Sequence, residues 1–295
     1  MPAWEEPVEL IRLIRSVDII TRAWVAGQKA GVHISHFKGQ GIEFSEIREY
    51  LPGDDIRTID WNVTARYGIP YVKEFTEERD QTFYFIVDLS GSHSFGSTTT
   101  KYRRMLEICA SLIFAAVRYH DRVGLIIVTD RVEKFIPSRG GRGHAVHLIN
   151  EIMNHSPVST GSDLKPALQY ILSRIRRMAC VIMISDFCVP DFSRELTLTR
   201  QHHEVYAIRV TDPRESELPD VGLIELEDAE TGEQVLVDTS DEIFREQFKK
   251  AVCDADEQIS KAFLRAHVPM ELVRTTDDWR IPIRHLFTRP LAVMQ

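Results

Sequence analysis

Cysteine is scarce in this chain and unpatterned. The four residues, Cys109, Cys180, Cys188 and Cys253, include no CxxC pair, which removes the spacing of zinc knuckles and thioredoxin-type redox motifs. Three lie in or beside apolar runs, where a free thiol behaves as a small hydrophobe; reduced thiols in a cytoplasmic protein are the expectation. No apolar run is long enough to cross a bilayer: the best, residues 108–117, is about half of the ~20 residues that a spanning helix needs. The amino terminus, Met1-Pro2-Ala3-Trp4-Glu5-Glu6, lacks the basic start and apolar stretch of a signal peptide. Basic charge is in deficit too, with 36 Lys and Arg against 44 Asp and Glu and a formal net charge of −8. Phosphate backbones are bound by concentrated Lys and Arg, so a nucleic-acid partner is disfavoured.

Enzyme signatures are missing as well. Ser90, Ser92 and Ser94 are dense, but none sits in G-x-S-x-G, so a nucleophile elbow is unsupported. The glycine-rich basic loop from Ser138 to His144 lacks the G-K-[ST] ending of a P-loop and reads as a turn into a helix. His144 and His147, and the pair His202-His203, have no acidic or thiol ligand at metal spacing, and they read as packed or solvated side chains.

What is present is ordinary globular composition, 43% hydrophobic and 27% charged over 295 residues, enough for one large domain or two of usual size. The rhythm changes near residue 80, which predicts an N-terminal module over 1–80 and a larger domain over 81–295. Leu10, Ile14, Val17, Ile20 and Trp24 recur at three- and four-residue spacing, predicting an amphipathic helix that packs on the protein's own core. Residues 31–80 are punctuated by glycine and proline and dense in charge, as a loop-and-hairpin module would be. Asp54, Asp55 and Arg57 follow the turn pair Pro52-Gly53 and are expected to be exposed and partner-binding. Asp60 and Arg66 are expected to brace the module, with Trp61 as a core anchor.

From residue 81 the pattern is strand–helix. Nearly continuous apolar runs at 83–87, 123–128, 181–184 and 205–210 read as strands buried on both faces of a parallel sheet. Helices are predicted over 101–119, 163–174, 193–201 and 242–266, a hairpin strand over 132–136, and a last strand over 270–273. The result is an α/β fold with a doubly wound, mainly parallel sheet and one antiparallel edge strand.

The chemistry gathers at strand ends. Asp88-Leu89-Ser90-Gly91-Ser92 directly follows the run 83–87, at the carboxyl end where open α/β sheets place ligand sites. Asp186 follows the run 181–184, and Thr160-Gly161-Ser162-Asp163 precedes a predicted helix with Asp163 placed as its N-cap. Parallel strands share one carboxyl edge, so these clusters can converge. One carboxylate and two hydroxyls at alternate positions form an all-oxygen set suited to a hard divalent cation.

Asp88-x-Ser90-x-Ser92, then Ser162, then Asp186, resembles the metal-ion-dependent adhesion site of von Willebrand factor A domains. Ser162 stands where a threonine is usual, which keeps the hydroxyl and loses the methyl that stiffens χ1. The resemblance implies a magnesium ion, or manganese, held by Ser90, Ser92 and Ser162 and by Asp88 and Asp186 mostly through water. It also implies a partner carboxylate completing the shell; His93 would then stand beside the contact. The run 39–61, which includes Ser45-Glu46-Ile47-Arg48-Glu49-Tyr50-Leu51-Pro52-Gly53-Asp54-Asp55-Ile56-Arg57-Thr58-Ile59-Asp60-Trp61, is similar to the signature of the bacterial domain-of-unknown-function family fifty-eight. That family joins such a segment to a von Willebrand A-like domain, and the resemblance implies work with a MoxR-type AAA+ ATPase on a client protein. The expectation is a non-enzymatic, magnesium-dependent adaptor. Its rival, a metal-dependent hydrolase using the same oxygens, lacks a general base with a defined place beside the metal.

Overall fold

The computed structural model describes residues 42–51, 56, 59–77, 81–91, 96, 99–216, 218–227 and 232–288. The segment carrying Leu10, Ile14, Val17, Ile20 and Trp24 lies outside them. The described residues fall into two compact units, one within 33–80 and one from Gln81 onward. Among them, no helix is long and apolar enough to cross a membrane.

In the smaller unit β1 (Ile42–Glu49) and β2 (Tyr71–Glu77) pair antiparallel, with a register shift between Phe44 and Glu46. Between them in sequence lies the short helix α1 (Trp61–Tyr67). Its start is fixed by Asp60, whose Oδ1 accepts the N–H of Asn62 at 2.9 Å and of Val63 at 3.2 Å. These are donors that a first helical turn leaves without an intrahelical partner. Its end is set by Gly68 at φ 75°, a left-handed conformation that glycine takes without a Cβ clash. Asp60 thus has a structural role, as the cap of this helix, whereas Arg66, also expected to brace the module, lies exposed in the last turn, where the helix's negative end favours a cation. Trp61 is different. It was expected to anchor a core, yet it is 67% exposed. No residue of α1 is buried, so a side chain at its first position has no interior to enter.

The larger unit begins with β3 (Thr82–Asp88), α2 (Lys101–Arg118), β4 (Arg122–Val128) and β5 (Val132–Arg139). It continues with α3 (Arg142–Asn154), α4 (Lys165–Arg174), β6 (Cys180–Ser185), α5 (Ser193–His202) and β7 (Glu204–Thr211). A separate antiparallel hairpin, β8 (Leu223–Glu227) with β9 (Gln234–Asp238), then precedes α6 (Glu242–Arg265), β10 (Met270–Arg274) and α7 (Arg280–Thr288). Six strands form one sheet in the order β10-β7-β6-β3-β4-β5. All neighbours are parallel except β5, which runs antiparallel to β4 at the edge. This is the doubly wound sheet expected from the sequence.

The central strand β3 explains the layers. Successive side chains of a strand point to opposite faces. Phe83, Phe85 and Val87 join one core with Met105, Leu112, Leu148, Trp279 and Ile283, which belong to α2, α3, α7 and the turn before α7. Ile86 joins the other with Leu168, Ile171, Leu196 and Phe263, from α4, α5 and α6. Both faces are dry, hence the unbroken apolar run; each such side chain contributes about 1.5–3 kcal/mol when fully buried. One close approach needs glycine: a Cβ on Gly124 of β4 would stand 2.5 Å from the Tyr84 ring. That ring is thereby free to lie across β4 and stack on Phe135, with centroids 6.1 Å apart.

Candidate functional site

Asp88 is the last residue of β3 and is fully buried. Val87 pairs with Ile184 in the parallel register, so Asp88 and Ser185 come next on adjacent strands. The Ser185 hydroxyl donates to Asp88 Oδ2 at 2.8 Å, and the Ser162 hydroxyl donates to the same oxygen at 2.9 Å. The N–H of Ser90 donates to Oδ1 at 3.0 Å. Three donors thus converge on one buried carboxylate, which is how a charge is held away from water.

Ser162 reaches Asp88 because its loop is tied from below. Glu133 of β5 is the tie: its carboxylate accepts the N–H of Val158 at 2.9 Å, the N–H of Ser159 at 3.2 Å and the Thr129 hydroxyl at 2.8 Å. His155 meets its other oxygen at 2.5 Å. Burial alone would raise the Glu133 pKa, but the hydrogen bonds from His155, Thr129 and the two N–H groups outweigh it and hold the carboxyl below its usual range. The loop is closed at each end by Gly91 N–H to Thr160 O and Asp163 N–H to Thr129 O, at 2.9 and 2.8 Å.

Asp186 lies just past β6 with a different partner. Its Oδ2 accepts from the Lys101 ammonium at 2.8 Å, and the same ammonium meets Glu215 at 2.5 Å. Lys101 is only 1% exposed. Burial would lower its pKa, yet the Asp186 and Glu215 charges outweigh that and raise it, so Lys101 is a fixed cation. Arg209 of β7 adds a further hold, donating from Nε to the Asp186 carbonyl at 3.0 Å and pairing with Asp256.

Of the residues singled out from sequence, Asp88, Ser90 and Ser162 come together, and Asp186 stands at the same sheet edge with its carboxylate engaged by Lys101. Ser92, His93, Asp54, Asp55 and Arg57 lie outside the described residues. Asp163 was expected to cap α4, but that helix starts at Lys165 with Leu164 in the cap position. Asp163 stands one residue earlier and accepts the N–H of Lys165 at 2.9 Å instead. Four residues of the site were missed: Ser185, Glu133, Lys101 and Glu215. Ser185 carried a readable signal, being a hydroxyl at the end of an apolar run. Of the histidines weighed as ligands, His144 and His203 have structural contacts, His144 Nε2 on the Val123 carbonyl at 2.9 Å and His203 Nδ1 accepting the Ala179 N–H at 3.3 Å.

The donors fit a hard divalent cation in kind: the Asp88 carboxylate and the Ser90 and Ser162 hydroxyls are all oxygen, and all three residues are buried at the sheet edge. Among the described residues no group of three or more His, Cys, Asp or Glu could hold a metal. A cation here would therefore depend on the Asp88 carboxylate together with hydroxyls and water.

The model of the family described as "Protein of unknown function DUF58" matches residues 46–258. The chain belongs to the DUF58 family. An uncharacterized protein of Mycobacterium tuberculosis is 32% identical to this DUF58 chain over 275 residues, covering 92% of it and 86% of that protein. One from Mycobacterium avium is 35% identical over 147 residues, covering 49% of this chain and 86% of that protein. Similar solved structures include BatB from Bacteroides thetaiotaomicron (TM-score 0.45, 13% identity, 70% of this chain and 97% of that one). The VWA domain of SpRpn10 is another (TM-score 0.39, 10% identity, 70% and 94%). The von Willebrand A-like character of this DUF58 chain rests on its own sheet, with the order β10-β7-β6-β3-β4-β5 and β5 as the single antiparallel strand.

Proposed function

We propose that this DUF58 chain is a protein-binding module whose site takes a divalent cation, magnesium or manganese, at the sheet edge around Asp88. The observation that carries the reading is the buried Asp88 carboxylate collecting the Ser162 and Ser185 hydroxyls and the Ser90 N–H. Hydroxyl donors can turn about their C–O bonds and offer a lone pair instead, so the same side chains can face a cation without moving the backbone. Asp88, Ser90 and Ser162 would hold it, with Ser92 from the sequence motif, while Asp186 stands at the same edge on the Lys101 ammonium. The bound cation would supply an electrophilic point for a partner's carboxylate.

Binding is favoured over hydrolysis by how the nearby bases are used. Asp88 is surrounded by donors, Asp186 is held by Lys101, and His155 is paired with Glu133. None is placed as a general base awaiting a proton. The partner we propose is a MoxR-type AAA+ ATPase acting on a client protein, a reading supported by the family signature in residues 39–61. Recovery of an ATPase from native lysate on the immobilised chain, with magnesium and then with chelator, tests it. Ser90→Ala with Ser92→Ala should abolish the chelator-sensitive recovery. Unchanged recovery would move the contact elsewhere, with Asp54, Asp55 and Arg57 as the next candidates.

A further inference from the structure

The sequence motif offers two carboxylates to the cation, Asp88 and Asp186, but the structure treats them unequally. Asp88 has only neutral donors around it, and among the described residues no cation pairs with it. Asp186 shares the Lys101 ammonium with Glu215, and Lys101 reaches them from the first position of α2. Lysine is almost never fully buried unless paired. Here it is, at the edge where the cation would bind. A fixed ammonium beside a divalent ion repels it, and more strongly where water is excluded.

We infer that Lys101 is the charge-setting residue of the cation site: its ammonium takes Asp186 out of the ligand set and weakens the hold on a divalent cation, which then rests on Asp88 and the serine hydroxyls. This inference rests on the proposed cation site. It makes Asp186 a partner of the lysine and not of the metal. It also makes the site of the free protein a low-affinity one, deficient in negative charge, which an incoming carboxylate is suited to complete.

The test is calorimetric titration of Mg2+, repeated with Mn2+, into four metal-stripped proteins: wild type, Lys101→Met, Asp186→Asn and the double variant. Circular dichroism confirms that each is folded. Lys101→Met should bind about tenfold more tightly or better, the effect of removing one unit charge beside a divalent ion in partly dry surroundings. The double variant is the safeguard, because it removes the buried pair together and leaves the trio's net charge as in wild type; Glu215 loses its lysine but is partly exposed and keeps the Asp212 N–H. It should bind within about threefold of wild type, since the lost charges cancel. If Asp186 is itself a ligand, the double variant loses affinity at least tenfold and the inference falls. Unchanged affinity in Lys101→Met overturns it as well, while wild-type binding keeps the cation site. Binding by Lys101→Met alone supports it in its strongest form. No heat from any of the four proteins overturns the cation site itself, and the inference with it.

Discussion

Replacing Asp88 separates two roles that the sequence alone merges, scaffold and ligand. Asp88→Ala removes an acceptor from three donors: the Ser162 and Ser185 hydroxyls and the Ser90 N–H. A buried polar group left unpaired costs about 1–3 kcal/mol. The two hydroxyls can turn towards other acceptors, which puts each near 1 kcal/mol, whereas the N–H is fixed by the backbone and takes more. Relief from holding a buried carboxylate offsets part of this, leaving a net loss of about 2–4 kcal/mol. Asp88→Asn keeps the shape. Its Oδ1 can accept from Ser90, and its amide can donate to both hydroxyls once they turn, so the loss should be about 1 kcal/mol. At roughly 2–4 °C per kcal/mol for a unit of this size, alanine should lower Tm by about 5–15 °C and asparagine by about 2–4 °C. Thermal melts in chelator measure the scaffold part. Melts repeated with excess magnesium measure the ligand part, because a cation that binds only the folded state raises Tm by mass action. Wild type should gain stability on adding magnesium and neither variant should. An alanine variant as stable as wild type in chelator would refute the hydrogen-bonded scaffold, and a magnesium gain retained by Asp88→Asn would refute the ligand role.

Two further outcomes follow from the geometry. Glu133 is ionised in the folded state at a lower pH than in the unfolded chain, so its contribution is full above the unfolded value of about 4.3 and is lost as pH falls through the folded value. Amide exchange at Val158 and Ser159, corrected for intrinsic rates, should thus lose protection in wild type as pH falls through the folded value, and be unprotected at every pH in Glu133→Ala; equal protection in wild type and Glu133→Ala at pH 7 would show that the carboxylate does not hold the loop. In the smaller unit Asp60→Ala should cost about 1 kcal/mol through the lost cap, read as faster exchange of the Asn62 and Val63 amides, while Asp60→Asn should be nearly silent because asparagine caps as well.

The fold was legible wherever burial covers both faces of an element. β3, β4, β6 and β7 announce themselves as apolar runs because neither side meets water, and α2 does so because it is packed nearly all round. The β8–β9 hairpin was not legible. Leu223 and Leu236 are 68% and 70% exposed there, so the strands lack the buried face whose period would reveal them. Trp61 failed for a related reason: a large aromatic residue usually signals a core, but the signal carries no information about whether its short helix has a core to face.

In the site, the donors were legible and the charge balance was not. Asp88, Ser90 and Ser162 sit at strand ends and in a loop, where polar residues interrupt apolar runs and draw notice. Lys101 sits at the first position of a helix, where a lysine reads as a solvated side chain, and its carboxylate partner Asp186 is 85 positions away. Nothing local distinguishes it from an exposed lysine, because only the parallel stacking of β3, β6 and β7 brings the start of α2 against the end of β6. A motif of oxygen donors fixes what kind of ion a site can take. How tightly it does so depends on the net charge around those donors, and that is set by residues the topology delivers. Two chains with the same Asp-x-Ser-x-Ser pattern can therefore differ in cation affinity if one carries a buried cation at the position of Lys101 and the other a neutral residue. In this chain the second carboxylate is compensated from within, by the ammonium that Lys101 shares between Asp186 and Glu215; under the proposed reading, that is what would separate a site that retains its cation from one suited to take it up together with an acidic partner.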